Sequence, residues 1–347
     1  MGAGSAGCVL ANRLSEEGGA RVVVLEAGGP ATGAFKDMPI AFPRYVLRRD
    51  LNWNFISEPE PHLGGRRIEV PRGKALGGSS AINGMVYARG HREDYDDWAR
   101  AGLTGWSYAD VLPYFRRSER SWLGEGPYHG GEGPLEVCIP RTNMMYAELR
   151  AATLAAGFPP TEDCHGAHTE GAHPSEMTVS GGRRGNLARI YLAPALTRRN
   201  LKVESGAYAT RLVWDGTRAV GVEYLKDGAL RTVRAAREVV LSAGTYGSPA
   251  LLLLSGVGPA EELRSLGVTP VIDLPGVGRN LIEHPFLFLG WQARTEAFVS
   301  QLRFDRAVVS VLRWALFGTG PFATNGAAGH VFIRTLPGLD RPDMQLT

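Results

Sequence analysis

Apolar residues fall into two patterns along the chain. Val22-Val23-Val24-Leu25 is an unbroken β-branched run, which predicts a buried strand ending on the acid Glu26. The preceding Cys8-Val9-Leu10-Ala11-Asn12-Arg13-Leu14 reads as a helix that Glu16-Glu17-Gly18-Gly19 closes. From residue 201 short strand-like runs recur. Residues 201–204, 207–214, 219–224 and 230–235 predict strands, with Asp215-Gly216 and Asp227-Gly228 turning the last three into an antiparallel meander. Residues 238–244 predict a further buried strand running into a glycine turn. Helices are expected at 94–101, 106–120 and near 143–156. The stretch 35–61 is aromatic and irregular, and 121–185 is rich in Gly, Pro and His, so both read mainly as loop. Surface placement is expected for His91, His129, His165, His168 and His173.

Chemistry enters at the very start. Gly2, Gly4 and Gly7 form G-x-G-x-x-G, with Ser5 and Ala6 between the last two. In such a loop the first glycine allows a tight turn. The second lets backbone approach a pyrophosphate, and the third lets helix and sheet pack closely. The helix N-terminus then offers free N–H groups to phosphate. Glu26 stands where an acid can accept from ribose hydroxyls. Glycines, helix, strand and acid in register predict a bound dinucleotide; the bland alternative is a β-α-β crossover whose acid faces solvent. Such a loop normally leaves a strand, and only Met1 precedes Gly2, so the chain is expected to have lost its first strand.

Composition narrows the rest. The 347 residues leave room for more than one structural unit. A net charge of +3 argues against nucleic-acid or membrane partners, and pairs such as Arg183-Arg184 read as solvated surface. Cys8, Cys138 and Cys164 lack metal-ligand spacing and suggest a reduced, cytoplasmic setting without disulfides. No apolar run is long enough to span a bilayer.

Four longer stretches carry a family likeness. They are Gly2 through Glu26-Ala27-Gly28-Gly29; Arg72 through Gly90, continuing to Trp98; Ser242 through Pro249 with Ser255-Gly256-Val257-Gly258-Pro259; and Pro275 through Pro285. Together and in this order they resemble the glucose-methanol-choline (GMC) oxidoreductases, flavoproteins that oxidise alcohols with FAD, here of the choline-dehydrogenase-like type. The resemblance implies an α/β fold: a Rossmann-type FAD-binding domain with a parallel sheet, an antiparallel meander, and an incomplete α+β substrate domain. It implies an FAD-binding region over 1–290, assembled from about 1–35, 65–105 and 185–285, and a substrate domain beginning at 291.

By the same resemblance Ala75, Gly78, Ser79 and the strap Asn83-Gly84-Met85-Val86 lie along the cofactor. On residues alone Asn83 would read as a loop cap. Ala209 matches a strand position whose backbone contacts adenine, and Gly244 opens the second glycine turn. Some relatives attach FAD through a histidine just before that asparagine; here Ile82 has no nucleophilic atom, so non-covalent FAD is expected. His284 matches a structural rather than catalytic position. The implied partners are a small-molecule alcohol and an external electron acceptor. The resemblance puts the catalytic histidine pair beyond residue 347, so truncation at both ends is expected, with poor folding or weak FAD binding. The alternative function is a truncated flavin-binding remnant without catalysis.

Overall fold

The computed structural model describes residues 1–139, 145–292, 294 and 297–347. The chain divides into two units. The first comprises Met1–Ala34, Arg44–Ile82 and Asn186–Trp291. The second comprises Phe35–Pro43, Asn83–Gly185 and Gln292–Thr347.

The first unit contains the α/β element that the apolar runs predict. Helix α1 (Ser5–Leu14) leads to strand β1 (Val22–Glu26), which pairs in parallel with β2 (Leu201–Ser205), Val22 opposite Leu201 and Glu26 opposite Ser205. The small residues Gly7, Cys8 and Ala11 form the buried face of α1, so the helix can pack closely on Val24, Leu201 and Tyr191. Asn12 Nδ2 fixes this contact by donating to Tyr191 O at 2.7 Å. β3 (Tyr208–Asp215), β4 (Arg218–Lys226) and β5 (Ala229–Arg234) form the expected meander. Asp227 and Gly228 both have positive φ, +52° and +74°, which a two-residue hairpin of matching twist requires. Helix α2 (Gly244–Leu254) covers the meander, with Leu251 packed among Leu25, Leu212, Val222 and Tyr224.

One predicted strand is absent. Residues 238–242 hold no strand, and Val239, Val240 and Leu241 are only half-buried. Met1 is the reason. Its amino group donates to Val240 O at 2.6 Å, and its carbonyl accepts from Ser242 N–H at 2.8 Å. Beyond Met1 the segment faces a cleft of about 820 Å³, bordered on the other side by Val22, Val23 and Val24. One residue supplies too few ladder bonds to make a strand.

In the second unit, helices run over Arg92–Arg100, Tyr108–Ser118, Tyr146–Ala155 and Phe304–Phe317. The first two start in capping boxes, His91 with Asp94 and Ser107 with Asp110. The helix expected to reach Arg120 ends at Ser118, because Glu119–Ser121 pairs in parallel with Leu135–Val137. Of the helix expected near 143–156, residues 143 and 144 lie outside the described residues. Strand Gly329–Ile333 lies between Gly171–Pro174 and Met344–Leu346, antiparallel to both. Trp314, Met38 and Phe322 form one core cluster, and Met85, Met177 and Val179 another.

Candidate functional site

In the first unit the site is made by backbone approaching backbone. Gly2 has φ +88°, and its N–H donates to Leu25 O at 2.8 Å. A Cβ on Gly7 would fall 1.8 Å from Gly2 O, so no larger residue fits between helix and loop. Gly78, at φ +54°, meets the loop from the other side: a Cβ there would fall 2.7 Å from Gly4 Cα. Gly77 N–H donates to Ala3 O at 2.7 Å and joins the two glycine stretches.

α1 starts at Ser5 with Gly4 as N-cap, with no side-chain cap and no acid in its first turn. Ser5 and Ala6 are exposed there. The amides of this turn and the positive end of the helix dipole are thus left for an anion. Gly244, at φ +82° and exposed, opens α2, which likewise has no side-chain cap.

Glu26 is only 6 % exposed. Its Oε2 accepts from Ala3 N–H at 2.7 Å and its Oε1 from Gly28 N–H at 2.8 Å. Burial pushes its pKa up, with the two amide bonds acting in the opposite direction. The acid therefore ties the glycine loop to the end of β1. A carboxylate has about four lone-pair sites, so each oxygen keeps one for a hydroxyl. Half-buried Ala27 follows, and fully buried Ala75 bridges in parallel to Gly29. Ser79 is exposed, and its Oγ accepts from Gly73 N–H at 3.1 Å. Ala209 is half-buried on β3, next to a register shift in the pairing with β4.

The strap Asn83–Val86 belongs to the second unit. The carbonyls of its first three residues are taken by the protein. Asn83 O accepts from Arg184 Nη1 at 2.5 Å, Gly84 O from Asn325 Nδ2 at 2.8 Å, and Met85 O from Thr178 N–H at 2.9 Å. Met85 N–H donates to Asn83 Oδ1 at 3.3 Å, so Asn83 is also the local cap that its residue type suggests. Among the described residues, no acceptor is paired with the amides of Gly84 or Val86. The strap thus has these three acceptors satisfied and two donors to spare, which fits the acceptor-rich edge of a flavin ring.

Two expectations about surface residues fail. Arg184 is 1 % exposed, not solvated, because its guanidinium reaches Asn83 O, Asn83 Oδ1 and Lys36 O. His129, His165 and His173 are buried, because each finds polar partners that loop composition does not reveal. His129 bridges Glu119 and Asp163 at 3.1 and 3.0 Å. Glu119 also accepts from Tyr87 Oη at 2.7 Å and pairs with Arg89 at 2.5 Å. Burial would raise the Glu119 pKa, but hydrogen bonds from His129 and Arg89 outweigh it and hold it at about 2. His91 caps its helix, His168 is exposed, and His284 lies in an exposed stretch.

The parallel β-α-β pairing, the glycine cradle and the uncapped helix define a Rossmann-type α/β protein suited to a dinucleotide. Comparison with known proteins makes this specific: the GMC oxidoreductase family model matches residues 1–286, and the chain belongs to that family. It is 44% identical over 348 residues to an oxygen-dependent choline dehydrogenase of Brucella ovis, covering 99% of this chain and 63% of that protein. A counterpart in Rhizobium johnstonii is 45% identical over 347 residues, with the same coverage of 99% and 63%. The chain therefore spans about 63% of the length of these relatives. Among solved structures it resembles pyridoxine 4-oxidase from Mesorbium loti, with TM-score 0.75 and 34% identity, covering 79% of this chain and 54% of that one. An FAD-dependent oxidoreductase from Chaetomium thermophilum superposes with TM-score 0.86 at 27% identity, covering 95% of this chain and 60% of the other.

Proposed function

We propose that this chain forms the FAD-binding part of an alcohol oxidoreductase that oxidises a CH–OH group, with choline or a similar small alcohol as substrate and an external electron acceptor. The observation that carries this reading is the glycine cradle, in which Gly7 and Gly78 leave no space for a Cβ beside Gly2 and Gly4. Bound FAD would supply a hydride acceptor. Toward it, the first-turn amides of α1 at Ser5, Ala6 and Gly7 would take the pyrophosphate, and Glu26 a ribose hydroxyl. Ala209 would meet adenine through its backbone. Ala75, Gly78, Ser79 and Gly244 would border the cofactor, with Ala27 beside Glu26. The Gly84 and Val86 amides would orient the flavin.

FAD would be dissociable, since the position before Asn83 is the buried aliphatic Ile82. A group that accepts the alcohol proton must come within hydrogen-bond reach of the hydroxyl. The test titrates FAD into purified protein, precipitates the protein with acid, and screens alcohols with an artificial acceptor. Yellow protein that releases its flavin into acid is the expected result, and reduction of the acceptor with choline supports the alcohol-oxidising reading. Flavin bound without reduction by any alcohol favours the non-catalytic remnant. Absence of flavin binding overturns both.

A further inference from the structure

We propose that Arg184 is a positioning residue that aims the Gly84 N–H at an acceptor atom of the bound flavin. This rests on the reading that the strap faces FAD. A peptide group is planar and trans, so a carbonyl and the next N–H point in opposite directions from one rigid plate. Whatever fixes Asn83 C=O therefore fixes the direction of Gly84 N–H. Arg184 Nη1 does so twice, at 2.5 Å to Asn83 O and at 3.1 Å to Asn83 Oδ1. The guanidinium is itself anchored, with its Nε donating to Lys36 O at 3.3 Å and the Arg184 main-chain N–H to Asp37 O at 2.8 Å.

Its neighbours repeat the device. Asn325 holds Gly84 C=O, and Thr178 holds Met85 C=O, which sets Val86 N–H. Met85 between them has φ +59°, a conformation a non-glycine residue keeps only under constraint. The carbonyls of Asn83, Gly84 and Met85 are gripped, and the Gly84 and Val86 amides stay open. Burying a cation to hold two acceptors of one exposed asparagine is costly for stability alone. It is explained if the plane of that peptide must not turn.

The test compares Arg184→Lys, Asn325→Ala and a control, Val331→Ala, which thins the same unit's core at a residue 2 % exposed. Lysine keeps the charge but lacks the planar guanidinium and the Nε that Lys36 O anchors. Apo protein is titrated with FAD, and the visible absorption band of the bound flavin is recorded with the melting temperature. The expected result is FAD affinity at least about tenfold weaker in R184K, the size of one aimed hydrogen bond. The flavin band should move toward that of free FAD; N325A, which frees the adjoining Gly84–Met85 plate and so loosens the strap that Arg184 holds, should show a smaller shift and keeps the test open if R184K does not fold. V331A should melt earlier with band and affinity unchanged. R184K and N325A behaving like V331A would mean that Arg184 only supports the fold, and the proposal falls while the FAD reading stands. If the unmutated protein binds no FAD, that reading fails first and takes this one with it.

Discussion

Replacing Glu119 by glutamine asks how much the buried charges contribute to the second unit. Glu119 is fully buried against Tyr87, His129, Gly130 N–H and Arg89. Glutamine has nearly the same shape, but it removes the counter-charge and turns one acceptor into a donor. Removing one partner of a buried ion pair costs about 3–5 kcal/mol, which is large beside a net stability of roughly 5–15 kcal/mol. At about 2–4 °C per kcal/mol for a unit of this size, E119Q should melt about 6–20 °C lower.

The pH dependence has a definite sign. Burial would lower the His129 pKa, but hydrogen bonds to Asp163 and Glu119 outweigh it and raise it from 6.5 to about 9. That contribution is complete below pH 6.5 and is lost as pH rises through about 9. The Glu119 contribution is complete above pH 4.5 and is lost as pH falls through about 2. The cluster therefore stabilises fully between pH 4.5 and 6.5, and its effect declines from there toward 9. In E119Q the alkaline decline should shrink, because His129 loses one of the two acceptors that raise it. Near-UV circular dichroism melts within that window and near its alkaline end measure both effects. A melting temperature within about 2 °C of the unmutated protein, with the same alkaline slope, would refute the reasoning.

Gly7→Ala should abolish FAD binding in a flavin-fluorescence titration and lower the melting temperature, since its Cβ would fall 1.8 Å from Gly2 O; an alanine variant that still saturates with FAD would show that the loop can shift. His173 and His330 act on the acid side. Burial lowers both to about 4, so stability is lost as pH falls from 6.5 through 4, and the pair H173N/H330N should flatten that part of a urea-midpoint profile. An unchanged acid slope would mean other groups carry it.

What the sequence makes legible here is set by the range of the interaction. Gly2, Gly4, Gly7 and Glu26 act on one another within a single β-α-β unit, so spacing and residue type are enough to read them. The Asp227-Gly228 turn is legible for the same reason, since both residues must take positive φ wherever the hairpin sits. The strand expected at 238–244 needs a neighbour on each side. Its apolar run says nothing about what lies next to it, and the bonds of Val240 and Ser242 go to Met1 and Gly2. Arg184 is the strongest case of partners hidden by distance in the chain. Its charge and its place in a Gly-Gly-Arg-Arg run both suggest surface, yet its acceptor at Asn83 is 101 residues earlier. His129 is less remote, 10 residues from Glu119 and 34 from Asp163, but glycine-rich composition conceals that the loops fold inward.

Backbone demands are thus written locally, in glycines, while the side chains that hold the backbone in place are written far away. The strap at Asn83–Val86 shows why both matter. Its N–H groups are available to any loop of similar composition, and the strap is held by Arg184, Asn325 and Thr178 from two other parts of the chain. A motif can therefore name the atoms that would meet a cofactor without naming the atoms that aim them.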